Sequence, residues 1–288
     1  MRFYTIKKDD KELVAVETMQ GRIIPLEKLG INVADMNELI CRYDELKDFI
    51  QKERSNHLTE DITIDSVDVL APITVPKQDV ICLGVNYREH IEETVDVIDF
   101  TKKADTVYFS KRVNRCNDPG GVIPDYDFVD SLDYEVELGV ILKKDALGIS
   151  AKEASDYIFG YTIINDVSAR NLQLKHQQWF RGKSLDGYMP MGPCIVTTDE
   201  IDDVHDLDIS CSINGKERQH SNTSHMITTV EEAIAELSQG MTLKATSIIA
   251  TGTPGGVAMG MKPPVYLQKG DEVICSIKGI GKLINKVE

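Results

Sequence analysis

No run of basic residues occurs anywhere in this 288-residue chain. Asp and Glu outnumber Lys and Arg by 47 to 32, a formal net charge of −15. Phosphate recognition needs a surplus of positive charge on some face, so a nucleic-acid binder is not expected. A local positive pocket for a small anion stays open, because net charge says nothing about one cavity. No uninterrupted apolar stretch reaches the length of a membrane span. The opening MRFYTIKKDDKEL carries charges where an export signal needs an apolar segment. Cys41, Cys82, Cys116, Cys194, Cys211 and Cys275 are scattered and include no C-x-x-C pair. Unpaired thiols fit a reducing compartment, and these absences together predict a cytoplasmic protein with its cysteines acting as small buried hydrophobes. Internal repeats and low-complexity segments are missing too.

What is present, 42% hydrophobic and 27% charged residues, suits a folded chain with one large domain or a main domain plus a small one. Residues 1–72 read as a small N-terminal α+β domain. Short strands flank a turn at Gln20-Gly21, and NVADMNELICRYDELKDFIQKERS has apolar residues at helical spacing. Pro72 and Pro76 punctuate the connection to a main domain over 73–288. That domain is rich in short strands between Gly, Pro and Asp turns: TVYFSKR, DYEVELGVIL, YIFGYTIINDVS, PCIVTT, DISCSING, SIIATG and DEVICSIKGIGKLINKV. Helical spacing is clearest in TVEEAIAELSQG, where Thr229 can cap the start and Gly240 the end. Strands do not alternate with long helices, so a mainly β, mixed roll or sandwich is expected and a doubly wound sheet is not.

In SLDYEVELGVIL the acids Asp133, Glu135 and Glu137 occupy alternate positions. Residues two apart on a strand share a face, so Glu135 and Glu137 project side by side. Solvent exposure, a shared proton or a hard cation would each relieve their repulsion. On this stretch alone exposure is the commoner arrangement. The flanking apolar LGVIL and a further acid at the end of another apolar strand, Asp166, point the other way. Three carboxylates without His or Cys form an oxygen-only set, suited to Mg²⁺, Mn²⁺ or Ca²⁺. Asp133 ranks below the other two. In GVNYREHIEE, His90 and Glu93 would share a helical face, and the carboxylate could orient the imidazole as a general base. A surface His among acids is the commoner case in isolation. The Gly-rich turn TGTPGG lacks the Walker spacing and its Lys-Ser/Thr. Thr253 and backbone amides there could instead meet a substrate carboxylate.

Taken in order, DYEVELGVIL, GYTIINDVSARNLQ, RGKSLDGYMPMGPCIV, IIATGTPGGV and GDEVICSIKGIGKLINKV resemble the fumarylacetoacetate hydrolase family, its bacterial acylpyruvase-like and heptadienedioate isomerase-like branch. The resemblance covers roughly residues 80–288. It implies a mixed β-sandwich roll and a homodimer, with Mg²⁺ or Mn²⁺ held by Glu135, Glu137 and Asp166. His90 and Glu93 then match a catalytic dyad in a lid, and Lys183 a pocket lysine. Arg170 and Gln173 match positions near substrate, although Arg170 could brace the loop by pairing with an acid. Arg181 reads as a solvated basic turn. One departure is Ala245-Thr246, where the family commonly has a Pro-Gly turn. The segment after Glu93 and a partner subunit are expected to build the distal pocket.

The expected activity is hydrolysis of a C–C bond in a β-diketo acid of the acylpyruvate type, with a small anionic 2-oxo acid as the partner. Decarboxylation of oxaloacetate, keto–enol or double-bond isomerisation, and hydration of a dienoate pass through the same enolate. A binding module that has lost its chemistry is the non-enzymatic alternative, and the retained His90, Glu93 and Lys183 argue against it.

Overall fold

The computed structural model describes residues 1–55, 62–94, 106–175 and 178–288. Two strands organise it, Val136–Leu142 and Ile158–Asn165, and every residue in both is buried. Such near-continuous apolar runs between turns belong to strands covered on both faces. They pair antiparallel in the middle of a ten-stranded sheet among the described residues, with Asn165 opposite Val136 and Ile164 opposite Glu137. On one side of the pair follow Met191–Thr197, Arg2–Lys8, Lys11–Glu17 and Ile23–Pro25, with Asp68–Leu70 also joined to Arg2–Lys8. On the other lie Ile248–Ala250, Val80–Gly84 and Val107–Lys111. Ile248–Ala250 runs parallel to Val80–Gly84, so the sheet is mixed.

A second sheet of five strands runs Lys216–Asn222, Asp208–Ile213, Glu272–Ile277, Gly281–Val287 and Val122–Ile123. Its inner residues Ile209, Cys211, Val273, Cys275 and Leu283 share one core with Val136, Leu138 and Val140 of the large sheet. The opposite face of the large sheet packs Ile141, Phe159 and Ile195 against Met36, Leu39 and Ile50 of the N-terminal helices. The mixed β-sandwich architecture expected from the sequence is the one observed.

The sheet does not stop at residue 72: Arg2 and Phe3 pair with Val196 and Ile195, so the N-terminal strands extend the main sheet. The helical stretch after residue 32 is two helices, Met36–Cys41 and Tyr43–Glu53, broken at Arg42. Asp35 caps the first through the Glu38 N–H. Thr229 caps Val230–Leu237 in a capping box with Glu232, but that helix ends at Ser238, short of Gly240. Five cysteines are buried as expected, whereas Cys41 is exposed on the outer side of its helix.

Candidate metal centre

The central hairpin brings the acids together. Asn165 Oδ1 accepts the Glu135 N–H at 2.9 Å, and the Asp166 N–H donates to Glu135 O at 2.8 Å. Glu137, one step into the strand, shares their side. Ligand atoms from Glu135, Glu137 and Asp166 lie within 4.8 Å of one another, and all three residues are buried.

Three cations stand around them. Arg170 donates from Nη2 to Glu135 Oε1 at 2.5 Å, from Nε to Asp133 Oδ2 at 2.9 Å and from Nη1 to Gln173 Oε1 at 2.9 Å. Lys183 Nζ lies 2.5 Å from Glu135 Oε2 and 2.6 Å from Asp166 Oδ2. Lys111, at the end of Val107–Lys111, donates to Asp166 Oδ1 at 2.5 Å and to Val167 O at 3.1 Å. Among the described residues Glu137 has no such cation; its Oε2 accepts the Gly252 N–H at 2.8 Å.

The electrostatics follow from this arrangement. Burial alone would raise Glu135, but Arg170, Lys183 and His90 outweigh it and hold the carboxyl down at about 2. Glu137 is pushed well above the usual carboxylate range, first by burial and then by Asp166 and Glu135. Four buried carboxylates, counting Asp133, face three buried cations. Glu137 is therefore the carboxyl left without a cation among the described residues, and burial beside Asp166 and Glu135 favours a proton on it. An oxygen-only triad whose third member lacks a counter-charge fits a hard divalent cation taking that proton's place.

Asp133 is not a fourth member of the triad. Its carboxylate accepts from Arg170 and from the backbone N–H groups of Tyr134, Ala258 and Met259. It therefore braces Arg170, and the guanidinium, with all three kinds of nitrogen engaged, braces Glu135.

On the rim, the helix Arg88–Thr94 carries the expected dyad. His90 Nδ1 lies 2.8 Å from Glu93 Oε1. A carboxylate can only accept, so Nδ1 carries a proton, and in the neutral ring Nε2 is then the acceptor. Glu93 Oε2 takes the Gly256 N–H at 2.7 Å, tying this helix to the 251–256 turn.

A cavity of about 20 Å³, room for one water or ion, opens between these groups. His90, Glu135, Glu137, Arg170, Gln173, Lys183 and Thr253 line it, with Asp166 and Glu93 immediately behind. Leu83, Val85, Phe109, Trp179 and Met259 form its apolar wall. The wall is tightly packed: a Cβ on Gly84 would come 2.4 Å from the Trp179 ring. Val85 sits at φ +52, costly for a β-branched residue and of a kind that concentrates at functional sites. A wider groove of about 360 Å³ beside Leu26 and Ile31 holds none of these groups. The segment after Glu93 expected to shape the distal pocket, residues 95–105, lies outside the described residues.

Thr253 lines the cavity, but its hydroxyl donates to Val136 O at 3.0 Å and accepts from Gln219 Nε2 at 2.7 Å. Its one proton is thus already engaged. Gln219 also accepts the Val136 N–H at 3.1 Å, so it pins the strand between the two glutamates to the 251–256 turn. Asn86 does likewise for the rim, donating to Thr228 O and Thr251 O. The sequence reading missed Lys111, Gln219 and Asn86. Gln219 offered the weakest signal: it lies on the largely polar strand Lys216–Asn222, where it alone is fully buried.

Comparison with known proteins finds relatives along the whole chain. The family model described as fumarylacetoacetate hydrolase C-terminal matches residues 79–288. Oxaloacetate tautomerase YisK of Bacillus subtilis is 36% identical, over 98% of this chain and 91% of its own. The structure of a fumarylacetoacetate hydrolase from Exiguobacterium antarcticum is 37% identical with a TM-score of 0.83, covering 100% of this chain and 99% of that one. A maleylpyruvate hydrolase from Sphingobium, solved with manganese(II) and pyruvate, is 25% identical with a TM-score of 0.80 over 100% and 98%.

Proposed function

This chain belongs to the fumarylacetoacetate hydrolase family, and from that premise we propose that it is a divalent-cation-dependent tautomerase interconverting keto and enol forms of a small 2-oxo dicarboxylic acid of the oxaloacetate type. The observation that carries enolising chemistry is the junction, in one small cavity, of the Glu135–Glu137–Asp166 triad with the His90–Glu93 dyad. Tautomerisation is favoured over the hydrolysis expected from the sequence by the full-length oxaloacetate tautomerase relative.

Glu135, Glu137 and Asp166 would hold Mg²⁺ or Mn²⁺, which when bound supplies Lewis-acid polarisation of a 2-oxo group. The chain's own residues provide the rest. His90 Nε2 takes the C3 proton of the keto form and delivers it to the 2-oxo oxygen to give the enol, the reverse transfer restoring C3–H, while Glu93 keeps the imidazole in the required tautomer. Lys183 is a permanent cation, since Asp166 and Glu135 raise it despite burial, so it serves developing oxyanion charge and not as a base. Gln173 gives its carbonyl to Arg170 and presents its amide NH₂ as the donor for a substrate carboxylate. Any contact from the Thr253 hydroxyl is as an acceptor.

A C–C hydrolase would share this enolate and add attack by water, and the hydrolase title of the Exiguobacterium structure keeps that as a second reading. A panel of oxaloacetate, acylpyruvates and an oxo-heptenedioate, assayed with Mg²⁺ and Mn²⁺, separates the two. Tautomerisation predicts accelerated loss of enol-oxaloacetate absorbance without release of pyruvate or CO₂. Rapid acylpyruvate cleavage with no effect on the enol would reject it.

A further inference from the structure

Each acid of the triad has one oxygen secured by a group that is itself held. Arg170 sits on Glu135 Oε1 at 2.5 Å and is clamped by Asp133 and Gln173. Lys111 sits on Asp166 Oδ1 at 2.5 Å and is tied to Val167 O. Glu137 Oε2 takes a backbone N–H from Gly252. The oxygens left are Glu135 Oε2, Glu137 Oε1 and Asp166 Oδ2. One ammonium contacts the first and last of these, Lys183, at 2.5 and 2.6 Å. A divalent ion bound through these oxygens at about 2.1 Å would press against that ammonium inside a buried cavity, where like charges repel strongly.

We propose that Lys183 is the resident counter-ion of the cation seat: a divalent ion displaces its ammonium from Glu135 Oε2 and Asp166 Oδ2, while Lys111 stays on Asp166 Oδ1 and aims that carboxylate. This inference rests on the metal-binding part of the function proposed above and not on the reaction catalysed. The displaced ammonium has somewhere to go. Nζ already lies 5.3 Å from the centre of the Phe109 ring, within cation–π range, on the wall of the cavity. There it would meet substrate oxygen, so loading the ion and readying the lysine become one movement. The two lysines on Asp166 thus act in opposite senses, one competing with the cation and one supporting it.

Mn²⁺ titration of the chelator-treated, full-length protein by calorimetry, without substrate, tests this. Lys183→Met should tighten Mn²⁺ binding by about tenfold or more. Lys111→Met should weaken it by about 10–100-fold, as loss of a group orienting a ligand does. If Lys183→Met fails to fold without the ion, Lys183→Gln purified with Mn²⁺ and then stripped supplies the same comparison. Affinity unchanged or weakened by removing Lys183 overturns the proposal even when the wild type binds Mn²⁺. Failure of the wild type and of both Lys183 variants to bind Mn²⁺ overturns the metal reading itself, and the displacement with it.

Discussion

At Glu93 the two carboxylate oxygens serve different elements: Oε1 orients His90 and Oε2 holds the Gly256 N–H. His90→Ala should lower turnover by about 10²–10⁴-fold, the usual worth of a positioned general base, with Mn²⁺ affinity kept. Turnover near the wild-type level would show that another group moves the proton. Gly260→Ala tests positioning without replacing either dyad residue, because its Cβ would stand 2.6 Å from the Glu93 carboxylate and displace it. The expectation is a lower kcat with Mn²⁺ binding unaltered, and intact kcat would mean the helix Arg88–Thr94 tolerates the displacement. The pairings Glu135–Glu137 and His90–Glu93 were legible as strand and helix spacings, whereas the joining of Asp166 to the first pair and the roles of all five rested on the family resemblance. Lys111 was not legible, since its value comes from Asp166, 55 positions away, and a lysine ending a strand ordinarily faces water.

Among the elements, the turn before Ile248–Ala250 carries a local conflict. Thr246 adopts φ +72 with its buried Oγ1 lacking a hydrogen-bond partner. A left-handed conformation costs an L-residue about 1–2 kcal/mol, which glycine's greater unfolded-state freedom partly offsets. Thr246→Gly should therefore raise stability by about 0.5–1 kcal/mol, read as a higher urea midpoint at unchanged slope; a lower midpoint would show that the side chain contributes packing. This departure from the family's Pro-Gly turn was visible in the sequence, while its backbone strain was not. Strands with apolar runs were equally legible. Lys216–Asn222 was missed because KERQHSN offers no apolar alternation, its place being set by pairing with Asp208–Ile213.

For the molecule as a whole, no described helix is long and apolar enough to cross a membrane, and stability should depend on cation and pH together. Glu137 is raised in the folded state, so its contribution is present below the unfolded carboxyl pKa and is lost as pH rises through the folded value. Glu135, held at about 2, stays charged across the working range. With Glu137 in the proposed ligand set, cation binding needs it deprotonated, so the gain in Tm with saturating Mn²⁺, roughly 5 °C, should grow as pH rises above the usual carboxylate range. A shift that shrinks as pH rises would remove Glu137 from the ligand set. The sheet's continuity from Arg2–Lys8 into Met191–Thr197 could not be read from composition, because the pairing partners lie nearly two hundred residues apart. The indole packed on Gly84 and Phe109 is the only tryptophan in the chain. Intrinsic emission excited at the red edge of protein absorbance therefore comes from the cavity wall alone, and it gives events at this site an optical signal without any label.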